Sequence, residues 1–244
     1  MKIYAMTKKG EHSENEDRIL INTNVISDGF FETESNGQTV ICVADGVGGN
    51  NAGAVASAFV CENLKNAVSI NKNGLVDINT QLLEKSVENE IYKGMATTLS
   101  GICFDDTVAN IFHIGNTRIY VFQGSYIKQI TEDHTSVNWL VKTGKLSKKE
   151  AENYDRRNEI TACFGGGNPA LINSLVFEES NDTLSNARRI VLTSDGVHEY
   201  VSIDEMEDIL NDENISPLQA CEEIINIAKT NGSSDDKSIV IIDK

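Results

Sequence analysis

Thr39-Val40-Ile41-Cys42-Val43-Ala44-Asp45-Gly46-Val47-Gly48-Gly49-Asn50 is the stretch whose reading decides the fold. An apolar run ends on a carboxylate and then on a glycine-rich turn. A run of this length bounded by turn residues predicts a buried strand, and a side chain at its end sits at a sheet edge, where chemistry is possible. Two more stretches repeat the pattern. Ile190-Val191-Leu192 leads into Thr193-Ser194-Asp195-Gly196, and Ser234-Asp235-Asp236-Lys237-Ser238 leads into Ile239-Val240-Ile241-Ile242. A fourth acidic motif, Asn15-Glu16-Asp17, stands near the N-terminus. Carboxylates brought together repel one another and need cations between them. Oxygen-only ligands select hard ions, Mg²⁺ or Mn²⁺, and two such ions about 3.5–4 Å apart can activate a water for phosphoryl transfer.

Outward from these motifs, residues 2–6 and 18–22 predict short strands and 38–44 a longer one. Beyond the glycine turn, Ala56, Val60, Leu64 and Ala67 recur at helical spacing, and 82–92 predicts a second helix. Strands follow at 95–104, 107–114, 118–122 and 126–130, joined by Asp105-Asp106, Gly115-Asn116 and Gly124-Ser125. Consecutive hairpins of this kind indicate antiparallel sheet. Segments 136–143 and 147–153 predict helices, with Trp139 and Leu140 facing the core. Gly165-Gly166-Gly167 reads as a flexible loop. Strands are expected at 171–177, 188–193 and 237–242, and helices at 202–211 and 217–230, the latter with Pro217 at its start. Strands come in blocks and helices in pairs. That predicts an α+β fold with sheets packed between helical layers, not a repeating βαβ unit.

The chain has 244 residues, 40% hydrophobic and 24% charged, with only 2 prolines. These values predict one domain over 1–244 with a core of its own. The net charge of −16 disfavours nucleic acid and anionic membrane as partners, since both need clustered Lys and Arg. Much of it is solvated surface, as at Glu205, Glu207, Asp208, Asp212 and Glu213. Cys42, Cys61, Cys103, Cys163 and Cys221 are widely spaced without a C-x-x-C, which predicts free buried thiols in a reducing cytosol. Residues 1–10 carry no readable signal peptide, and no run reaches the ~18 apolar residues of a membrane span. A cytoplasmic location is expected.

The motifs, taken together, resemble a known family. Asn15-Glu16-Asp17, Val43-Ala44-Asp45-Gly46-Val47-Gly48-Gly49, Met95-Ala96-Thr97-Thr98-Leu99, His113-Ile114-Gly115-Asn116-Thr117-Arg118, Thr131-Glu132-Asp133-His134, Leu192-Thr193-Ser194-Asp195-Gly196-Val197 and Asp235-Asp236-Lys237-Ser238 follow one another as in the metal-dependent serine/threonine protein phosphatases of type 2C, in their compact bacterial form. The resemblance spans about 7–243 and implies a four-layer α-β-β-α sandwich, two antiparallel sheets flanked by helix pairs. It makes Asp45 the carboxylate that bridges two Mn²⁺ or Mg²⁺ ions. The Gly46 carbonyl contacts the second ion, Asp195 and Asp235 hold the first, and Glu16 and Asp17 act mainly through water. It implies hydrolysis of phosphoserine and phosphothreonine in proteins by a water activated between the ions, and a pairing with a Ser/Thr kinase. Gly48-Gly49 would relieve crowding beside the metal or cradle phosphate. No cysteine lies in a Cys-x5-Arg loop, so a thiol nucleophile has no support.

Taken singly, each motif has a plain structural reading. Asp45-Gly46 is a turn after a strand, Asp195 caps a helix, and Asp235-Asp236 is the polar start of a strand. Three positions depart from the family pattern. His12 stands where the family usually has an Arg that binds the substrate phosphate; protonated His can donate but lacks the bidentate fork. Val47 replaces a His found in many eukaryotic members, so the leaving-group proton must come from elsewhere. Asn116 replaces an Asp that contributes to a third ion, leaving that site empty or weak. His113 reads as structural, His134 as a loop stabiliser, and His198 as a residue close to Asp195. Two rival functions remain open: a catalytically weak phospho-binding module of the same fold, and a phosphohydrolase of small metabolites.

Overall fold

The computed structural model describes residues 1–47, 52–105 and 108–244. The chain opens with strands β1 (Lys2–Lys8), β2 (Asp17–Ile21), β3 (Asn24–Ile26), β4 (Gly29–Glu34) and β5 (Thr39–Val47). Helices α1 (Ala52–Lys65) and α2 (Lys72–Ser86) follow. Next come β6 (Ala96–Thr97), β7 (Leu99–Phe104), β8 (Ala109–Ile114), β9 (Arg118–Gln123) and β10 (Tyr126–Gln129). After α3 (Ser136–Lys142) and α4 (Lys148–Ala151) lie β11 (Phe164–Gly165), β12 (Val176–Glu179) and α5 (Asn181–Ser185). The chain ends with β13 (Arg189–Thr193), α6 (Asp195–His198), α7 (Ile203–Asn211), α8 (Pro217–Thr230) and β14 (Lys237–Asp243).

Two sheets result. One has 6 strands in the order β10-β9-β13-β14-β1-β4; the other has 8, with β11-β6-β5-β7-β8-β12 in line and β2 and β3 beside β5. The strand pairs are antiparallel. Side-chain alternation explains why these strands are apolar at every position. Ile41, Val43, Ile190, Leu192, Val240 and Ile242 point between the sheets. Cys42 and Ala44 point outward onto Val60, Cys61 and Leu64 of α1 and Leu75 and Leu82 of α2. Val191, Ile239 and Ile241 point outward onto Ile209 and Leu210 of α7 and Ile224 and Ala228 of α8. The layers are therefore α-β-β-α, the sandwich expected from the sequence.

Several segments differ from their predicted form. The second helix runs 72–86, not 82–92. Asn71 caps it by accepting from the Gly74 N–H at 3.0 Å, and its buried face begins at Leu75 and Ile78, hidden within a polar stretch. Residues 90–92 form only a 3₁₀ turn. A 3₁₀ turn at Pro169–Ser174 occupies most of the strand expected at 171–177, because Asn168 caps a turn that begins with Pro169. β3 and β4 carry mixed polar sequence and were not foreseen. Gly165-Gly166-Gly167 is a defined left-handed turn with φ of 76°, 68° and 69°. The Gly165 N–H donates to Asn79 Oδ1 at 2.8 Å, which pins the turn. Trp139 is 53% exposed instead of core-facing, and the Lys145 ammonium lies 4.2 Å from its ring centre. The five thiols are free, with all but the partly buried Cys103 fully inside. Gly48-Gly49 and the Asp105-Asp106 turn expectation fall wholly or partly outside the described residues.

Phe112 fills the outer face of the eight-stranded sheet, where a Cβ on Gly101 would come within 2.3 Å of its Cζ. In urea unfolding, Phe112→Ala should cost about 3–5 kcal/mol. Trp139→Ala should change stability by only about 0.5 kcal/mol; a loss as large as that of Phe112→Ala would return Trp139 to the core.

Candidate metal and active site

The two sheets deliver four carboxylates to one end of the sandwich. Asp17 begins β2 and pairs directly opposite Asp45 of β5. Thr193 ends β13 opposite Ile239 of β14, so Asp195, just past one strand, and Asp235, just before the other, meet on that side. The Asp45 backbone is fixed on three sides. Its carbonyl accepts from the Thr98 N–H at 2.8 Å and the Thr97 hydroxyl at 2.9 Å, and its N–H donates to Thr98 Oγ1 at 3.2 Å. Gly46 is required by space: a Cβ there would lie 2.2 Å from the Gly53 carbonyl oxygen. Gly196 is required in the same way, with a Cβ falling 1.9 Å from the Asp236 carbonyl oxygen.

Burial first, and then mutual repulsion, sets the electrostatics. Desolvation raises Asp45, and the charges of Asp195, Asp17 and Asp235 raise it further. Asp195 is pushed to about 6 by desolvation and by Asp235, against hydrogen bonds from Asp45 and Asn116. Asp17 is also raised by desolvation, although Ser194 and Ser238 donate to it. Among the described residues, no Lys or Arg forms an ion pair with any of these four carboxylates, and His12 Nδ1, 3.8 Å from Asp235 Oδ1, is the nearest cationic partner. Asp195 Oδ1 is buried with no hydrogen-bond partner. An orphaned carboxylate oxygen among oxygen-only donors fits a hard divalent cation, which would satisfy that oxygen and offset the charge.

The remaining predicted residues divide. Glu16 is buried and raised by desolvation; its carboxylate accepts from the Ala54 N–H at the start of α1. A Cβ on Gly53 would be 2.8 Å from Glu16 Oε2, so the carboxylate lies against that helix end. His12 Nδ1 is 3.3 Å from Asp236 Oδ2. Its partial burial opposes protonation, but the hydrogen bond and charge of Asp236, with Asp235 and Glu16, raise its pKa overall. Asn116 Nδ2 donates to Asp195 Oδ2 at 2.8 Å. Val47 is exposed and offers no proton. His113 is locked between Ser100 and the Glu132 carbonyl, each at 2.8 Å, and burial lowers it to about 4. It stacks on His134 at 4.8 Å. His198 is buried in α6, with Nδ1 2.8 Å from Thr193 Oγ1.

Two residues that sequence reasoning did not single out hold this end together. Asp236, 2% exposed, accepts from the Gly10 N–H at 2.7 Å and from the Glu16 N–H at 2.6 Å. Its neighbour Asp235 draws attention as the motif carboxylate, yet Asp236 is the one buried, and it ties the start of β14 to the segment bearing His12, Glu16 and Asp17. Ser194 Oγ donates to Asp17 Oδ2 at 2.7 Å and accepts from the Ser238 N–H at 2.9 Å. It joins one sheet to the other directly beneath the acids. The signal for both was only their adjacency to Asp235 and Asp195.

The chain matches known proteins over most of its length. The sequence profile of the family described as Protein phosphatase 2C matches residues 22–235. The serine/threonine phosphatase stp of Listeria welshimeri is 29% identical over 88% of this chain and 88% of its own. Protein phosphatase PhpP of Streptococcus pneumoniae is 31% identical over 84% of this chain and 86% of its own. The crystal structure of serine/threonine phosphatase Stp1 from Staphylococcus aureus superposes with a TM-score of 0.83 at 29% identity, covering 99% of this chain and 94% of that one.

Asp235→Asn and Asp236→Asn should behave differently in thermal melts of metal-free protein. Asp236→Asn turns an N–H toward a backbone donor and should cost about 1–3 kcal/mol, while Asp235→Asn should melt near the wild type. Asp195→Asn relieves repulsion and should melt above the wild type without metal, yet gain less from added Mn²⁺. Equal melting of the two asparagine variants at 235 and 236 would remove Asp236 from its anchoring role.

Proposed function

Since this chain belongs to the protein phosphatase 2C family and is a protein serine/threonine phosphatase, we propose that Asp45, the Gly46 carbonyl, Asp195 and Asp235 hold two Mn²⁺ or Mg²⁺ ions. The family is metal-dependent. When bound, the ions supply an activated water and neutralise charge on the phosphoryl oxygens. The observation that carries this reading is the buried, unpartnered Asp195 Oδ1 within a cluster of four acids.

The chain's own residues prepare that chemistry. The hydrogen bonds of Thr97 and Thr98 fix Asp45 at the end of its strand. Ser194 holds the Asp17 carboxylate, and Glu16 and Asp17 orient water around the ions. Asn116 donates its N–H to Asp195 and adds no charge, which supports two ions and leaves a third unneeded. The His12 ring is half-exposed, with Nδ1 held by Asp236, so its other nitrogen is available to donate to the substrate phosphate. The substrates in this reading are phosphoserine and phosphothreonine proteins of the cytoplasm, modified by a cognate Ser/Thr kinase. No described helix is long and apolar enough to cross a membrane. A full set of carboxylates favours turnover over bare phosphate binding.

Hydrolysis of a phosphothreonine peptide should stop with EDTA and return with Mn²⁺. Asp195→Asn and Asp235→Asn should each lower kcat on the order of 10²-fold or more, with circular dichroism unchanged. Undiminished turnover without metal would sink the mechanism. Faster cleavage of sugar phosphates or nucleotides than of the peptide would favour a metabolite substrate.

His12→Arg should lower KM for the peptide at a pH above the raised pKa of His12, where the imidazole has lost its charge and Arg keeps it. An unchanged KM would make His12 a bystander to the phosphate.

A further inference from the structure

A cavity of about 680 Å³ opens between the end of β1 and the second half of α8. Its walls carry Lys8, Lys9, Lys229 and Lys237, with Glu11 and Glu222 as the opposing charges. The chain as a whole has 21 Lys and Arg against 37 Asp and Glu, so a local excess of cations runs against the global balance. Three of them, Lys8, Lys9 and Lys229, are exposed and not neutralised from within. Among the described residues, neither Lys8 nor Lys229 is in an ion pair. Lys9 donates to the Ser13 carbonyl at 3.4 Å, which pins its ammonium without cancelling its charge; Lys237 is buried, donates to the Asp235 carbonyl and is offset by the charges of Asp235, Asp236 and Asp17. Lys229 lies close enough to Lys237 to repel it.

The cavity borders the two segments that carry His12 and Asp235. Gly10 and Glu11 on its wall lead directly to His12, and Ser233 and Ser234 lead directly to Asp235. The Glu11 N–H donates to the Ser234 carbonyl at 2.8 Å, so the two rims are stitched together where they enter the site. A polypeptide that places its phosphate at the acid cluster has this lysine-bearing groove within reach of its flanking residues. The chain as a whole, at a net charge of −16, repels an acidic partner.

Resting on the phosphatase reading above, we propose that this lysine-lined groove selects phosphoprotein substrates whose residues flanking the phosphoserine or phosphothreonine are acidic. The groove acts on binding and orientation, away from the reacting atoms, so discrimination falls on KM. The attraction is carried by the exposed Lys8, Lys9 and Lys229 and weakens with salt.

The test uses the full chain with Mn²⁺ and phosphothreonine peptides carrying three glutamates on one flank, on the other flank, or glutamines in their place. The wild type should favour one of the glutamate peptides by about 5- to 10-fold in KM at low salt, with kcat alike and the preference lost in high salt. The double variant Lys8→Glu, Lys229→Glu changes two exposed side chains outside the catalytic set. It should prefer the glutamine peptide while cleaving a small aryl phosphate at the wild-type rate. Equal KM on all peptides for the wild type, or an equal loss on all peptides in the double variant, would overturn the groove's role. Cleavage of the aryl phosphate with no cleavage of any peptide would instead overturn the protein-phosphatase substrate reading, and the groove's role with it.

Discussion

Four carboxylates cannot share the end of a β-sandwich unless something compensates them. The charges of Asp17, Asp195 and Asp235 raise Asp45, and that of Asp235 raises Asp17 and Asp195 as well, and no Lys or Arg forms an ion pair with these four among the described residues. In an ordinary fold such a cluster would be replaced by apolar or paired residues, since burying uncompensated charge costs far more than a typical contact returns. Here the surrounding structure is built to hold the repulsion in place. The sandwich core of Ile41, Val43, Ile190, Leu192, Val240 and Ile242 fixes the four strand ends, and those strand ends fix the acids.

The local bonds follow from the same constraint. Thr97 and Thr98 clamp the Asp45 backbone, Ser194 spans the two sheets under Asp17, and Asp236 gathers the backbone of Gly10 and Glu16. Glycine at 46 and 196 allows backbone to approach where any side chain would collide. Each of these interactions is modest, about 0.5–1.5 kcal/mol net for a neutral hydrogen bond and more for a charged one. Together they prevent the acids from splaying apart, which is the preformed geometry the proposed ions would need.

The layer order and the location of the site were legible in sequence because they rest on strong local signals. Strands buried on both faces appear as unbroken apolar runs, and the carboxylates at their ends are visible by eye at Asp45, Asp195 and Asp235. Capping and long-range contacts were not legible. Asn71 starts α2 inside a polar stretch whose apolar face is sparse, and Asn168 with Pro169 converts an apparent strand into a 3₁₀ turn. Trp139 looks like core by composition, yet α3 offers it a lysine and solvent. Asp236 was overshadowed by Asp235, because two adjacent carboxylates in a strand approach are told apart only by which one points inward, and that is decided by contacts with His12 and Gly10, 224 and 226 positions away in sequence.

The central claim is that this acid cluster is a two-ion site held ready by the fold. Calorimetric titration of Mn²⁺ into EDTA-treated, dialysed protein tests it most directly. The expected result is two equivalents bound by the wild type and a loss of at least one on substituting Asp195 by Asn. A wild type that binds no Mn²⁺, or binds it with the same stoichiometry and affinity after that substitution, would contradict the assignment of these carboxylates.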